Sequence, residues 1–231
     1  MILKVEDIHT YYGDCYILQG VSLELRRGEV LGIIGRNAMG KTTLIRSIIG
    51  FTPPRAGRVF FKDKEITSTP PYQIVRAGVG IVPQGREIFP TLSVKENLTV
   101  GFREKPEGWT LEKVYELFPP LRERMNHPGN RLSGGEQQML AVGRGLMTNP
   151  DLLLMDEPTE GLAPIYVEAV GKVIRRLQEG GMSILLVEQN LRFALKYTDY
   201  IHILNRGRVV HSSNPAELKG KTDIIRRYLG V

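Results

Sequence analysis

Lys41, Thr42, Asp156 and Glu157 are the side chains in this sequence whose types and spacing point most directly to chemistry. Lys41 and Thr42 end the segment Gly35-Arg36-Asn37-Ala38-Met39-Gly40-Lys41-Thr42, with Thr43 following. The spacing is G-x-x-x-x-G-K-[ST], preceded by an apolar run and followed by a helical stretch over 41–49. The glycines let the backbone wrap closely enough for its N–H groups to point at phosphate oxygens. The helix N-terminus adds partial positive charge. Such a loop would cradle a nucleoside triphosphate, with Lys41 reaching the β- and γ-phosphates and Thr42 offering its hydroxyl to Mg²⁺. A glycine-rich turn with an incidental lysine is the bland alternative, and the flanking strand and helix argue against it. By itself the loop indicates an NTPase or a nucleotide-dependent kinase.

The acids follow the apolar run Leu152-Leu153-Leu154-Met155 and precede Pro158. A buried strand ending in two acids places both at the carboxyl edge of a sheet, where ligands of open α/β sheets sit. Asp156 would hold the magnesium shell, and Glu157 would orient or deprotonate an attacking water. A solvated pair capping the next helix is the alternative.

The elements that must position these groups are visible as periodicities. Residues 29–34, 151–155 and 183–187 are continuous apolar runs, as in strands buried on both faces. Val167, Val170, Ile174 and Leu177 form one helical stripe, ended by Gly180-Gly181. Helices separating buried strands imply a parallel sheet covered on both sides. Val21, Leu23 and Leu25 alternate with polar residues, and 57–66 reads as a similar half-exposed strand, so the N-terminal region is expected to be partly antiparallel. Residues 93–148 carry mostly helical signals, opening on the capping box Ser93–Glu96. Asn205-Arg206-Gly207 between 200–204 and 208–212 predicts a hairpin.

With 231 residues, 42% of them hydrophobic, the chain can bury one sizeable core. No stretch approaches the roughly 20 apolar residues of a membrane span, and the start MILKVEDIHT has no signal-peptide pattern. Cys15 is the single cysteine, which excludes an intramolecular disulfide or a cysteine metal cluster. These features predict a cytoplasmic protein. The net charge of +6 is scattered and selects no partner.

Leu132-Ser133-Gly134-Gly135-Glu136-Gln137-Gln138, lying between the phosphate loop and the acids, resembles the signature of ABC ATPases. Ser133 and Glu136 also form a capping box for a helix through Met147, which Asn149-Pro150 stops. The resemblance covers essentially the whole chain. It implies a RecA-like P-loop NTPase α/β core, an N-terminal antiparallel β-subdomain and an inserted helical subdomain over about 86–150, all in one cassette domain, 1–231. It implies that Ser133, Gly134 and Gly135 complete the ATP site of an opposite cassette, either a sister ATPase or a second copy. Tyr12, before Gly13, resembles the aromatic residue that stacks on adenine, with Tyr11 the alternative and a core role possible for either. Gln84 resembles the glutamine that touches magnesium or water and faces the membrane subunit. Ile88 and Phe89 would then lie near that partner or serve the core.

Two positions depart from the usual family pattern. Gln189 stands where the family has a histidine on the γ-phosphate; its amide can donate a hydrogen bond but carries no charge. None of His9, His127, His202 and His211 is placed to substitute. Ala163 stands where many cassettes have an aspartate, which predicts altered coupling between sites with catalysis retained. Both departures, with EQQMLAVGRGLM and the ending YLGV, resemble the second ATPases of branched-chain amino-acid importers. PQGREIFP and VYELFP are similar to urea-importer ATPases. The resemblance implies two membrane permeases, a substrate-binding protein, a peripheral place on the cytoplasmic face of the membrane and no nucleic-acid partner. A lipopolysaccharide-type exporter cassette and a soluble ABC ATPase are the rivals. The latter would carry two cassettes or a long coiled-coil insertion, and a nucleotide kinase would lack LSGGEQQ.

Overall fold

The computed structural model describes residues 1–230. A four-stranded sheet is built from β1 (Leu3–Tyr12), β2 (Cys15–Leu25), β4 (Ala56–Phe61) and β5 (Lys64–Glu65), in the order β2-β1-β4-β5, all antiparallel. The segment 57–66, expected as one strand, is instead a hairpin. Lys62 and Asp63 take φ of 49° and 63°, the left-handed pair that a two-residue turn between strands needs. Alternation alone hides such a turn because both flanks keep the same period.

The second sheet contains β3 (Val30–Ile34), β6 (Val79–Val82), β7 (Leu152–Asp156), β8 (Ser183–Glu188), β9 (Tyr200–Asn205) and β10 (Arg208–Ser213). Its order is β10-β9-β3-β8-β7-β6, parallel throughout except for the β9–β10 hairpin at Arg206-Gly207. Every residue of β3, β7 and β8 is buried, which explains their unbroken apolar runs. Each fully buried Leu, Ile or Val stabilises the fold by about 1.5–3 kcal/mol.

The remaining elements are α1 (Lys41–Ile48), α2 (Pro71–Ala77), α3 (Val94–Thr99), α4 (Leu111–Leu117), α5 (Pro119–Glu123), α6 (Gly134–Met147), α7 (Pro164–Glu179), α8 (Leu191–Tyr197), α9 (Pro215–Lys219) and α10 (Thr222–Leu229). Both expected capping boxes form, at Ser93–Glu96 on α3 and Ser133–Glu136 on α6. Helix α7 buries the expected stripe through Val170, Ile174 and Leu177. Helices α3 to α6 lie between β6 and β7 in the chain and share one hydrophobic cluster with β7, β8 and α7. No helix is long and apolar enough to cross a membrane.

The parallel register levels the strand ends. Ile34 sits beside Glu188, Val187 beside Asp156, and Val82 beside Met155. The turns leaving β3, β6, β7 and β8 therefore gather at one carboxyl edge.

Candidate nucleotide site

The loop leaving β3 is fixed by backbone contacts that its glycines permit. A Cβ on Gly35 would overlap the carbonyl of Leu204, and Gly40, with φ of 100°, is the N-cap of α1. The β9–β10 turn closes on the loop, with the Gly207 N–H donating to Met39 O at 3.0 Å. Arg36, Asn37 and Ala38 are exposed, Ala38 at φ 63°, so this arc of backbone faces outward. Thr43 is buried on α1, on the side facing Tyr12.

Lys41 is buried under the loop. Its Nζ donates to Gly35 O at 2.8 Å and Arg36 O at 2.9 Å, and pairs with Glu157 Oε1 at 2.9 Å. Only 3% of the lysine side chain and 7% of the glutamate side chain are exposed. Glu157 itself is left-handed, φ 47°, with its N–H held by Val187 O at 2.9 Å. Non-glycine residues held there carry strain that surrounding contacts must offset, a pattern concentrated at functional sites.

Asp156 is buried, and burial pushes its carboxyl up to about 6 against the opposing hydrogen bond from Thr42; the Glu157 charge adds to the rise. Its Oδ1 has no hydrogen-bond partner. A buried carboxylate oxygen without a donor, beside a threonine hydroxyl, is the donor set a hard cation needs once phosphate oxygens and water supply the rest. Among the described residues no three His, Cys, Asp or Glu side chains cluster as a metal site. Gln84, Arg46 and Glu160 open on the same cavity as Thr42 and Asp156. Gln84 Nε2 donates to Glu160 Oε2 at 2.9 Å.

Tyr12 is 41% exposed, and its hydroxyl faces α1 and the turn after it. Burial would raise its pKa, but hydrogen bonds involving Thr52, Arg46 and Thr43 outweigh it and lower the value. Tyr11 points elsewhere, stacked on Tyr16 with ring centroids 4.5 Å apart and covered by Arg55. Gln189 is exposed at the end of β8 and lines a cleft with Gly35, Arg36, Arg192, Ile225 and Leu229. Of the four histidines, His202 is buried in β9, where its ring bonds Ser212. Ile88 packs on the core while Phe89 is 44% exposed under Arg144.

Ser133, Gly134 and Gly135 stand apart from this cavity. Ser133 caps α6, and Gly135 opens on a different groove with Met139, Tyr166 and Val173. Glu136 closes the capping box at Ser133 N, 2.7 Å away, and pairs with Arg124 at 2.8 Å.

Sequence reasoning missed Glu188. Its buried carboxyl, raised by burial, accepts from the Thr159 N–H (3.1 Å) and hydroxyl (2.8 Å) and from the N–H groups of Gln189 (3.1 Å) and Asn190 (3.2 Å). It joins the turn after Glu157 to the turn bearing Gln189. The signal was present, since an acid ending an apolar strand is what marked Asp156.

The profile of the ABC transporter family matches residues 18–160. The high-affinity branched-chain amino acid transport ATP-binding protein BraG of Pseudomonas aeruginosa is 40% identical, over 99% of this chain and 100% of the relative. The probable branched-chain amino acid transport ATP-binding protein LivF of Archaeoglobus fulgidus is 34% identical, over 100% and 99%. The crystal structure of a nucleotide-free ATP-binding cassette from an ABC transporter superposes with a TM-score of 0.86 at 31% identity, covering 96% of this chain and 95% of that one. A phosphate loop, two buried acids and a capped LSGGEQQ helix on that fold make this chain a member of the ABC transporter family, an ATP-binding and ATP-hydrolysing subunit.

Proposed function

We propose that this subunit hydrolyses Mg²⁺-ATP at the carboxyl edge of the parallel sheet to drive import of branched-chain amino acids. The orphaned Asp156 Oδ1 beside the Lys41–Glu157 pair carries the catalytic part of this reading. Thr42 and Asp156 would hold Mg²⁺, which neutralises charge on the β- and γ-phosphate oxygens. The backbone of 35–43 cradles the phosphates, and the adenine stacks on the exposed Tyr12 ring. Lys41 exchanges Glu157 for the β- and γ-phosphates. Glu157, so released, orients the water and takes its proton during in-line attack. Gln84 turns from Glu160 toward the magnesium shell or the water, and Gln189 donates its amide to the γ-phosphate.

Gly135 opens on a different groove from the one lined by Thr42 and Asp156, and in this reading Ser133, Gly134 and Gly135 serve the opposite cassette, with ATP between the two. The partners are a sister ATPase or second copy, two permeases meeting the segment around Gln84–Phe89, and a binding protein beyond them. The place of the subunit is then the cytoplasmic face of the membrane.

Two assays test this. Replacing Gln189 by Ala should slow turnover of the assembled transporter; unchanged turnover removes it as a phosphate sensor. The reconstituted complex should accumulate leucine in an ATP-dependent way. Accumulation of urea instead would move the subunit to the second importer class, and neither substrate would sink both readings of the cargo.

A further inference from the structure

The two glycines of the signature turn are each covered by a different side chain from outside α6. Arg86, two residues after Gln84, lays its guanidinium 3.3–3.5 Å from where a Cβ of Gly134 would stand. Tyr166, in the first turn of α7, lays its ring over Gly135 so closely that a Cβ there would overlap it. A side chain on Gly135 would displace the Tyr166 ring, whereas one on Gly134 would press on the end of the Arg86 side chain and shift it only slightly.

Arg86 is itself tightly held. Gly85, Arg86 and Glu87 have successive φ of 71°, 70° and 42°, and two of the three are not glycine. Arg144 of α6 donates to Arg86 O at 3.3 Å, while Arg86 Nη1 reaches Gln137 Oε1 of the same helix at 3.4 Å. The Arg86 guanidinium also lies 3.9 Å from the Cβ position of Gly161. Tyr166 lies two residues beyond Gly161-Leu162-Ala163-Pro164, and its N–H donates to Ala163 O at 2.9 Å.

We infer that Arg86 and Tyr166 are positioning residues that set the signature turn against the loop after Gln84 and the turn after Glu157. A shift of the Gln84 loop is passed to Gly134 by a planar guanidinium, and a shift of the 160–163 turn is passed to Gly135 by a planar ring. The turn therefore faces the opposite nucleotide correctly only when both neighbouring segments are in place. This rests on the proposal that Ser133–Gly135 complete the ATP site of a second cassette.

The test uses Arg86→Gln, Tyr166→Ala, Tyr166→Phe and Ser133→Ala in the assembled transporter. The readouts are ATP turnover, and binding of a fluorescent ATP analogue to each free full-length chain. Arg86→Gln and Tyr166→Ala should lower kcat by about tenfold or more, as misplacement of a catalytic partner does. Analogue affinity of their own phosphate loops should stay within about twofold. Tyr166→Phe, which keeps the ring on Gly135, should turn over normally. Normal kcat in both Arg86→Gln and Tyr166→Ala overturns the inference, provided Ser133→Ala is impaired. A parallel loss of kcat and analogue affinity also overturns it, because that is general damage to the fold. Normal turnover of Ser133→Ala would instead overturn the two-cassette reading, and the inference with it.

Discussion

Replacing Glu157 by Gln should tighten nucleotide binding while nearly abolishing turnover. Lys41 is neutralised by Glu157 across 2.9 Å, with both side chains almost fully buried. A hydrogen bond to a charged group contributes about 1.5–3 kcal/mol net, with a fully ionic pair toward the upper end. The amide of the variant still accepts from the charged Lys41 ammonium and falls toward the lower end, so the difference is about 1–1.5 kcal/mol. If phosphate must displace this contact, that difference passes into nucleotide affinity as a roughly five- to tenfold lower Kd. Removing a carboxylate from beside a triphosphate acts in the same direction. Turnover should fall by about 10²–10⁴ through loss of the base. The nucleotide-free variant should also melt lower, by about 2–4 °C for each kcal/mol lost. Titration of the free chain with a fluorescent ATP analogue, alongside a thermal melt, reads both effects. An unchanged or higher Kd would refute the view that the ion pair competes with phosphate. Unchanged turnover would remove Glu157 as the base.

Three further outcomes follow from particular contacts. His202 is buried, and burial lowers its pKa to about 4 from an unfolded value near 6.5. Between those values the unfolded chain binds the extra proton, so acidification from pH 6.5 to 4 should remove about 3 kcal/mol of stability. The wild type should lose more melting temperature than His202→Gln across that window, and parallel profiles would contradict the assignment. Asn97 is fully buried and bonds the Phe89 N–H and the carbonyls of Phe89, Leu92 and Ser93. Asn97→Ala should cost about 2–4 kcal/mol in urea unfolding, because those backbone groups lose their partner; a cost below about 1 kcal/mol would show that water replaces the amide. Tyr12→Ala should weaken ATP binding by about tenfold and Tyr12→Trp should not, given about 1–3 kcal/mol for stacking a base on an aromatic ring. Equal affinity in both variants would remove Tyr12 from the adenine site.

Much of the architecture was legible because local pattern and buried environment agree. The unbroken apolar runs of β3, β7 and β8 require burial on both faces, and both faces are covered. The hairpin at Arg206-Gly207 and the capping boxes at Ser93 and Ser133 are local hydrogen-bond patterns, complete within a few residues, so spacing alone fixes them. The turn at Lys62-Asp63 was not legible. It lacks the Asn-Gly or Asp-Gly text that marks such turns, and its left-handed conformations are imposed by the pairing of β4 with β1 and β5.

The sequence by itself determined the chemistry on offer: a lysine and threonine closing a phosphate loop, two acids ending a strand, and a serine capping LSGGEQQ. Only the tertiary structure decided which groups meet. Lys41 and Glu157 are far apart in the chain, yet form one buried ion pair because β3 and β7 flank β8 in register. Gln84 found Glu160, Glu188 found Thr159, and Arg86 and Tyr166 found the two signature glycines by the same means. Spacing describes contacts within a turn or a strand. Contacts between turns depend on strand order and register, which are set by how the whole core packs.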